Sequence, residues 1–455
     1  MPVTPTRWLA EYAWLPNYAE PTPDVLIETD GKRITGVTPL TAGSRPPAGV
    51  EVYADAVPLP GLTLPGLANV HSHAFHRALR GRTHGGRGDF WSWRDRMYAV
   101  ADRLDPDTYL ALARAVYAEM ALAGITCVGE FHYLHHRPDG GAYDDPNAMG
   151  AALVEAAAHA GIRLTLLDTC YLTASVDGRA LAGPQRRFGD GDATRWAERV
   201  AAFQPTDSHA RVGAAVHSVR AVPADQLGTV AAWARDRQAP LHVHLSEQPA
   251  ENDECRAVHG RTPTALLAEH GVLGSNTTAV HVTHPTSGDL TLLGESRTGV
   301  CLCPTTERDL ADGIGPARRM ADVGIQLSLG SDSHAVIDLF EEARAVELDE
   351  RLRTRRRGHF TPVELLSAAS AAGHAALGWA DAGRIAVGAR ADLVTVRLDS
   401  ARTAGVPPVG AFFAAGVADV EQVVVDGRVV VAEGRHLSVD VPAELSASIE
   451  AVTPA

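Results

Sequence analysis

At about 150 residues per domain, 455 residues would make three domains, but the length equally suits one large α/β barrel with an attachment. Hydrophobic residues at 45% and charged residues at 21% describe a globular chain and exclude a disordered or low-complexity one. With 41 basic and 55 acidic side chains the net charge is −14, which argues against nucleic acid or an anionic membrane surface as a partner.

Up to about residue 60, short β-like pieces alternate with turns, as in DVLIETDGKRITGV, where Asp30 and Gly31 mark a hairpin. Lys32 in that turn is the single lysine of the chain. Schiff-base chemistry, a phosphate-loop lysine and a carboxylated-lysine metal bridge have no other source. The chain start lacks a basic segment leading into an apolar run, and no 18 consecutive apolar residues occur, so a cytoplasmic protein without a membrane span is expected.

Eight short apolar runs ending in polar residues then follow: LANVHSH, TCVGEFHY, RLTLLDTCY, RVGAAVHS, LHVHLSE, TAVHVTH, TGVCLCP and IQLSLGSDSH. Alanine-rich amphipathic stretches such as DTYLALARAVYAEMALAG separate most of them, so the pattern is a repeated βα unit. Eight repeats in about 270 residues fit a (β/α)8 barrel, and the polar strand ends mark the face where such barrels place active sites. A doubly wound sheet lacks support, because no GxGxxG follows the first strand. The glycine-rich GRTHGGRGDF, holding Gly81, Gly85, Gly86 and Gly88, reads as a lid. Five cysteines are too few and irregular for a disulfide framework, and Cys301 and Cys303 alternate on strand seven as core residues do. The arginines between Arg351 and Arg357 read as the solvated end of a helix. From about residue 385 the β style returns, with a turn at Asp426 and Gly427. Residues 1–60 and 385–455 are therefore expected to form one small discontinuous β-sandwich domain around a barrel of residues 61–384.

His71 and His73 stand at i and i+2 on the first barrel strand, so both rings point to one side. Strand five offers His242, His244 and, at its end, Glu247; strand six offers His281 and His284; strand eight ends in Asp332 and His334. Imidazole and carboxylate donors without convergent cysteines suit zinc or another borderline divalent ion. Such an ion would bring a water's pKa toward neutrality, and a nearby glutamate could move the proton.

The HSH after LPGL, the HLSE, the strand-six histidine, the SDSH and the flanking β segments together resemble the amidohydrolase superfamily over nearly the whole chain. The resemblance implies that His71, His73, His244 and Asp332 hold the metal and that Glu247 shuttles protons. By the same resemblance His281 polarises the substrate and Asp332 accepts a proton from the activated water. His242 and His284 match no ligand position and are assigned to packing or support. Binuclear members bridge their ions with a carboxylated lysine or a glutamate, and VGAAVHSVR on strand four has neither, so one divalent ion, Zn2+, is expected. Mononuclear members are commonly deaminases.

Within the superfamily, HSHAFHRAL, FWSWRDRMY, EFHYLHH, VHSVRAV and TTERDLADGIG are similar to the N-formimidoyl-L-glutamate deiminases of histidine degradation. That similarity implies a small dicarboxylate substrate, a homodimer, and substrate contacts from Arg94, Tyr133, His217 and Arg220. Arginine forks hold carboxylates bidentately. The family usually has glutamine where this chain has His76, and imidazole cannot reproduce both the donor and the acceptor of an amide. Two other readings stand beside this one: a ring deaminase or chlorohydrolase for guanine-like or triazine-like substrates, and a barrel that has lost catalysis and serves as a scaffold.

Overall fold

The computed structural model describes residues 6–40, 55–83, 90–205 and 208–453. The centre of the glycine-rich loop, with Gly85, Gly86 and Gly88, lies outside them, and so does the lid reading placed on it.

The first strands are β1 (Thr6–Ala13), β2 (Thr22–Asp30), β3 (Arg33–Pro39) and β4 (Ala56–Pro65). The barrel strands follow: β5 (Leu67–Ser72), β6 (Ile125–His132), β7 (Arg163–Cys170), β8 (Ala210–Val216), β9 (Leu241–Leu245), β10 (Thr277–His281), β11 (Gly299–Leu302) and β12 (Leu327–Leu329). All eight run parallel in the order of the chain. Every residue of β6 and β7 is buried, which is why these strands read as unbroken runs: helices cover one face and the barrel interior the other.

The covering helices are well delimited. The helix Pro106–Leu122 begins at Asp105, whose carboxylate accepts from the Thr108 N–H at 2.8 Å, with proline in its first turn, where no N–H is needed. The helix Ala148–Ala160 stops at Gly161, which takes φ +74°.

Closure of the barrel falls on residues of interest. A parallel bridge pairs Ser72 with Asp332; the Asp332 N–H donates to the His71 carbonyl at 3.0 Å and the His73 N–H to the Asp332 carbonyl at 3.3 Å. The seam thus fixes the backbone of the HxH segment to that of the aspartate.

The remaining strands are β13 (Leu393–Val396), β14 (Val420–Val425), β15 (Arg428–Ala432) and β16 (Arg435–His436). With β1–β4 they make one mixed sheet in the order β16-β15-β14-β13-β4-β1-β2-β3. Its two arms share an apolar cluster that includes Trp8, Val25, Ile27, Leu393 and Val424, so sandwich-like packing arises from a single sheet. The two hairpin turns touch, for a Cβ on Gly427 (φ +74°) would fall 1.9 Å from the Gly31 carbonyl oxygen. After the sheet, the helix Val441–Val452 packs against Pro106–Leu122 and is tied to it by Arg114 and Glu444 at 2.8 Å.

Cys301 and Cys303 lie in a buried cluster with Val70, Cys127, Val280 and Leu377. Arg355, Arg356 and Arg357 are exposed beyond the helix Leu339–Thr354. Among the described residues, no helix is long and apolar enough to cross a membrane.

Candidate active site

Donor atoms of His71, His73, His244 and Asp332, all buried, lie within 4.8 Å of one another at the strand ends. His71 Nε2 stands 3.0 Å from His244 Nε2 and 3.3 Å from Asp332 Oδ1, and His73 Nε2 is 3.4 Å from the same oxygen. The ring orientations are set from behind. His73 Nδ1 donates to the Phe131 carbonyl at 3.0 Å and His244 Nδ1 to the His217 carbonyl at 2.9 Å, leaving each Nε2 lone pair aimed at the centre. Burial, reinforced by His71, pushes His73 down to about 3, and burial likewise holds His71 and His244 well below the ordinary imidazole value. Neutral rings with converging lone pairs repel one another unless a cation lies between them. Three imidazole nitrogens and one carboxylate oxygen therefore fit a zinc-like ion.

Beside this cluster, His281 Nε2 is 3.7 Å from Asp332 Oδ2 and 3.8 Å from Glu247 Oε1. Burial opposes charge on His281, but Glu247, Glu307 and Asp332 outweigh it and raise its pKa well above the usual value. Backbone strain gathers here: Ser246, His281, Val282, Asp332 and His334 all have φ between +43° and +73°. Such conformations persist only where the surroundings impose them, and they re-aim side chains at strand ends.

A cavity of about 260 Å3 opens onto His73, His244, Glu247, His281 and Asp332. His76, Arg94, Tyr133, His217 and Arg220 also line it, so every residue the sequence marked for substrate faces one space. His76 Nε2 lies 3.1 Å from the Tyr133 hydroxyl. Arg220 donates to Glu247 Oε2 at 3.2 Å and has its Nε 3.4 Å from Glu251. Trp93, Tyr98, Tyr171 and Phe188 add an aromatic wall that the sequence reading did not include. His242 and His284 stay outside the cluster, bonded to the carbonyls of Ala376 (3.2 Å) and Asp312 (2.7 Å).

A profile of the amidohydrolase family matches residues 62–430. The chain belongs to the amidohydrolase family. It is 38% identical over 394 residues to the formimidoylglutamate deiminase of Pseudomonas aeruginosa, covering 83% of this chain and 86% of that protein. The crystal structure of an amidohydrolase from Brucella melitensis superposes with a TM-score of 0.87 at 31% identity, over 98% of this chain and 99% of the other. An adenosine deaminase from Xanthomonas campestris, solved with bound zinc, shares the fold with a TM-score of 0.81 at 22% identity, over 98% and 97% of the chains. This amidohydrolase is thus a hydrolase acting on C–N bonds.

Two residues that the sequence does not single out complete the arrangement. Glu307 Oε1 accepts from His281 Nδ1 at 3.3 Å and from the Cys303 N–H at 3.0 Å. Glu251 Oε1 accepts the Ser246 N–H at 2.9 Å while its other oxygen faces Arg220. Glu307 sits in the TTERD motif, but neither residue has a spacing that ties it to its partner.

Proposed function

We propose that this amidohydrolase hydrolyses N-formimidoyl-L-glutamate to N-formyl-L-glutamate and ammonia, using one divalent ion, Zn2+, held by His71, His73, His244 and Asp332. The cellular setting that goes with this reading is histidine degradation in the cytoplasm by a homodimer. The observation that carries it is the opening of two guanidinium groups, Arg94 and Arg220, onto the cavity that also exposes Glu247, His281 and Asp332. A substrate with two carboxylates needs paired forks of this kind.

A divalent ion supplies a Lewis acid and brings a water's pKa toward neutrality. The chain does the rest. Arg94 and Arg220 bind the carboxylates, while His76, Tyr133 and His217 direct hydrogen bonds to the amidine and backbone of the substrate. Water adds to the formimidoyl carbon as Asp332 takes its proton. Glu247 protonates the imino nitrogen, then takes the hydroxyl proton of the adduct and delivers it to the same nitrogen; the C–N bond to that nitrogen breaks, ammonia leaves behind a formyl amide, and the proton held by Asp332 returns to Glu247. His281 steadies the negative charge at the attacked centre. In the structure Arg220 is shared with Glu247, so a carboxylate arriving at Arg220 also alters the surroundings of the proton shuttle.

The aromatic wall gives the ring-deaminase reading one point in its favour, since planar substrates stack. No asparagine or glutamine is among the described residues lining the cavity, and a base-reading pocket ordinarily uses amides for their paired donor and acceptor.

The test is incubation of metal-replete protein with N-formimidoyl-L-glutamate, following ammonia and N-formyl-L-glutamate together, with a chelated sample in parallel. Equal, metal-dependent release of both is expected. Formamide with glutamate would mean cleavage of the other C–N bond, and inertness with a full metal site would move the assignment to ring substrates. In the same assay Glu247→Gln should lose about 10²- to 10⁴-fold in kcat with metal content unchanged. Near-normal turnover would remove Glu247 from the shuttle.

A further inference from the structure

The ends of three neighbouring strands each present a metal-binding donor to one point. His281 ends β10, Cys303 follows β11 and Asp332 follows β12; all three are buried, and donor atoms from the three lie within 4.8 Å of one another. Asp332 faces two ways. Its Oδ1 is 3.3 and 3.4 Å from His71 and His73, while its Oδ2 is 3.7 Å from His281. One carboxylate can therefore give one oxygen to a cation among the first set and its other oxygen to a cation beside His281.

We propose that His281, Cys303 and Asp332 form a second cation position, selective for thiophilic ions such as zinc or cadmium supplied in excess, and that filling it stops hydrolysis. Ligand atoms around a single zinc stand roughly 3 to 4 Å apart, so modest side-chain rotation closes the set. His281 is prepared for the role, because Glu307 occupies Nδ1 and leaves Nε2 facing Asp332 and Glu247. Cys301 adds a second sulfur 4.0 Å from Cys303 Sγ. Hard ions such as magnesium gain little from a thiol, whereas d10 ions bind it strongly. On binding, the Cys303 S–H and His281 Nε2–H bonds break, sulfur–metal and nitrogen–metal bonds form, and two protons pass to solvent. The occupied Nε2 can then no longer serve the substrate, which makes the position inhibitory.

Protein carrying one zinc per chain is titrated with cadmium while ultraviolet thiolate-to-cadmium absorption, retained zinc and hydrolysis are followed. One further cadmium per chain is expected, with a thiolate band, full retention of zinc and at least a roughly tenfold loss of turnover. Cys303→Ala, and the closer replacement Cys303→Ser should alanine disturb packing, are expected to turn over normally with one zinc, show no band and resist cadmium. A band and inhibition undiminished in both variants, displacement of the first zinc, or no second ion bound would each overturn the proposal. Absorption and metal content do not depend on which substrate the cavity takes, so an error in that assignment gives a different result from an error here.

Discussion

The charge-stabilising role proposed for His281 requires a ring that is held, and Glu307 holds it. Its Oε1 receives both the ring Nδ1–H and the Cys303 N–H, so the carboxylate is fixed before it fixes the ring. Glu307 does not line the cavity and has no direct part in binding. Glu307→Ala should therefore lower kcat roughly 100-fold, the scale of losing one preorganised donor, with KM little changed. Glu307→Gln, whose amide oxygen can accept both bonds, should recover most of that loss; steady-state kinetics of the two variants decide it. An increase in KM with kcat intact would instead place Glu307 in substrate binding. This partnership also shows why the sequence yields some site residues and hides others. His71 and His73 declare themselves by alternation along one strand, and Glu247 and Asp332 by their place at strand ends. Glu307 meets His281 across two different βα units, 26 residues apart, and no periodicity encodes that contact.

At the level of elements, all eight barrel strands are legible, because burial on both faces leaves continuous apolar runs. The eighth is the least regular: only Leu327–Leu329 is strand, and the polar remainder bends through Asp332 and His334 at positive φ. The helix Val441–Val452 is also encoded, by Asp440 as its cap and by Val441, Leu445, Ser448 and Val452 on one buried stripe, and it departs from the β domain expected of residues 385–455. The seam between β12 and β5 is what three-dimensional structure adds. A Cβ on Gly330 would lie 2.8 Å from His71 Cβ and 3.0 Å from the His71 backbone nitrogen and oxygen. No flexible side-chain tip is there to give way, so Gly330→Ala must push the HxH strand from the aspartate that follows Gly330. Zinc affinity should fall about 10- to 100-fold, measured by competition with a chelator, and the metal-free protein should melt at a lower temperature. Unchanged affinity in a destabilised variant would show that the seam supports the barrel without positioning the ligands.

The barrel and the terminal sheet are joined by buried charge. Arg163, at the start of β7, is fully buried and donates to Asp392 Oδ1 at 3.0 Å and to Asp426 Oδ1 at 3.1 Å, with a second bond to Asp392. Asp426 is shared with Arg390 at 3.0 Å, so two carboxylates face two guanidinium groups. Burial works against the charge on Asp392, yet Arg163 overcomes it and holds that carboxyl below its ordinary range. Arg199 has the same net effect on Asp168 and, together with His136, on Asp190. A carboxyl whose pKa is lowered by folding stabilises the fold fully above its unfolded value, and that contribution is lost as pH falls toward the folded value. The contribution of these carboxyls should therefore stay intact from neutrality down to about pH 4, the unfolded carboxylate range, and be lost below it, whereas the buried neutral rings of His71, His73 and His244 take stability from the metal-free protein from about pH 6.5 downward. Asp392→Asn leaves Arg163 with one fewer charge partner in a dry site, at a cost of about 3–5 kcal/mol at neutral pH. Because this variant has one acid-sensitive group fewer, its stability should decline less steeply below pH 4 than that of the parent chain. Melting curves of both proteins across pH test this, and parallel acid slopes would mean that Asp392 is not among the groups whose protonation unlocks the sheet from the barrel.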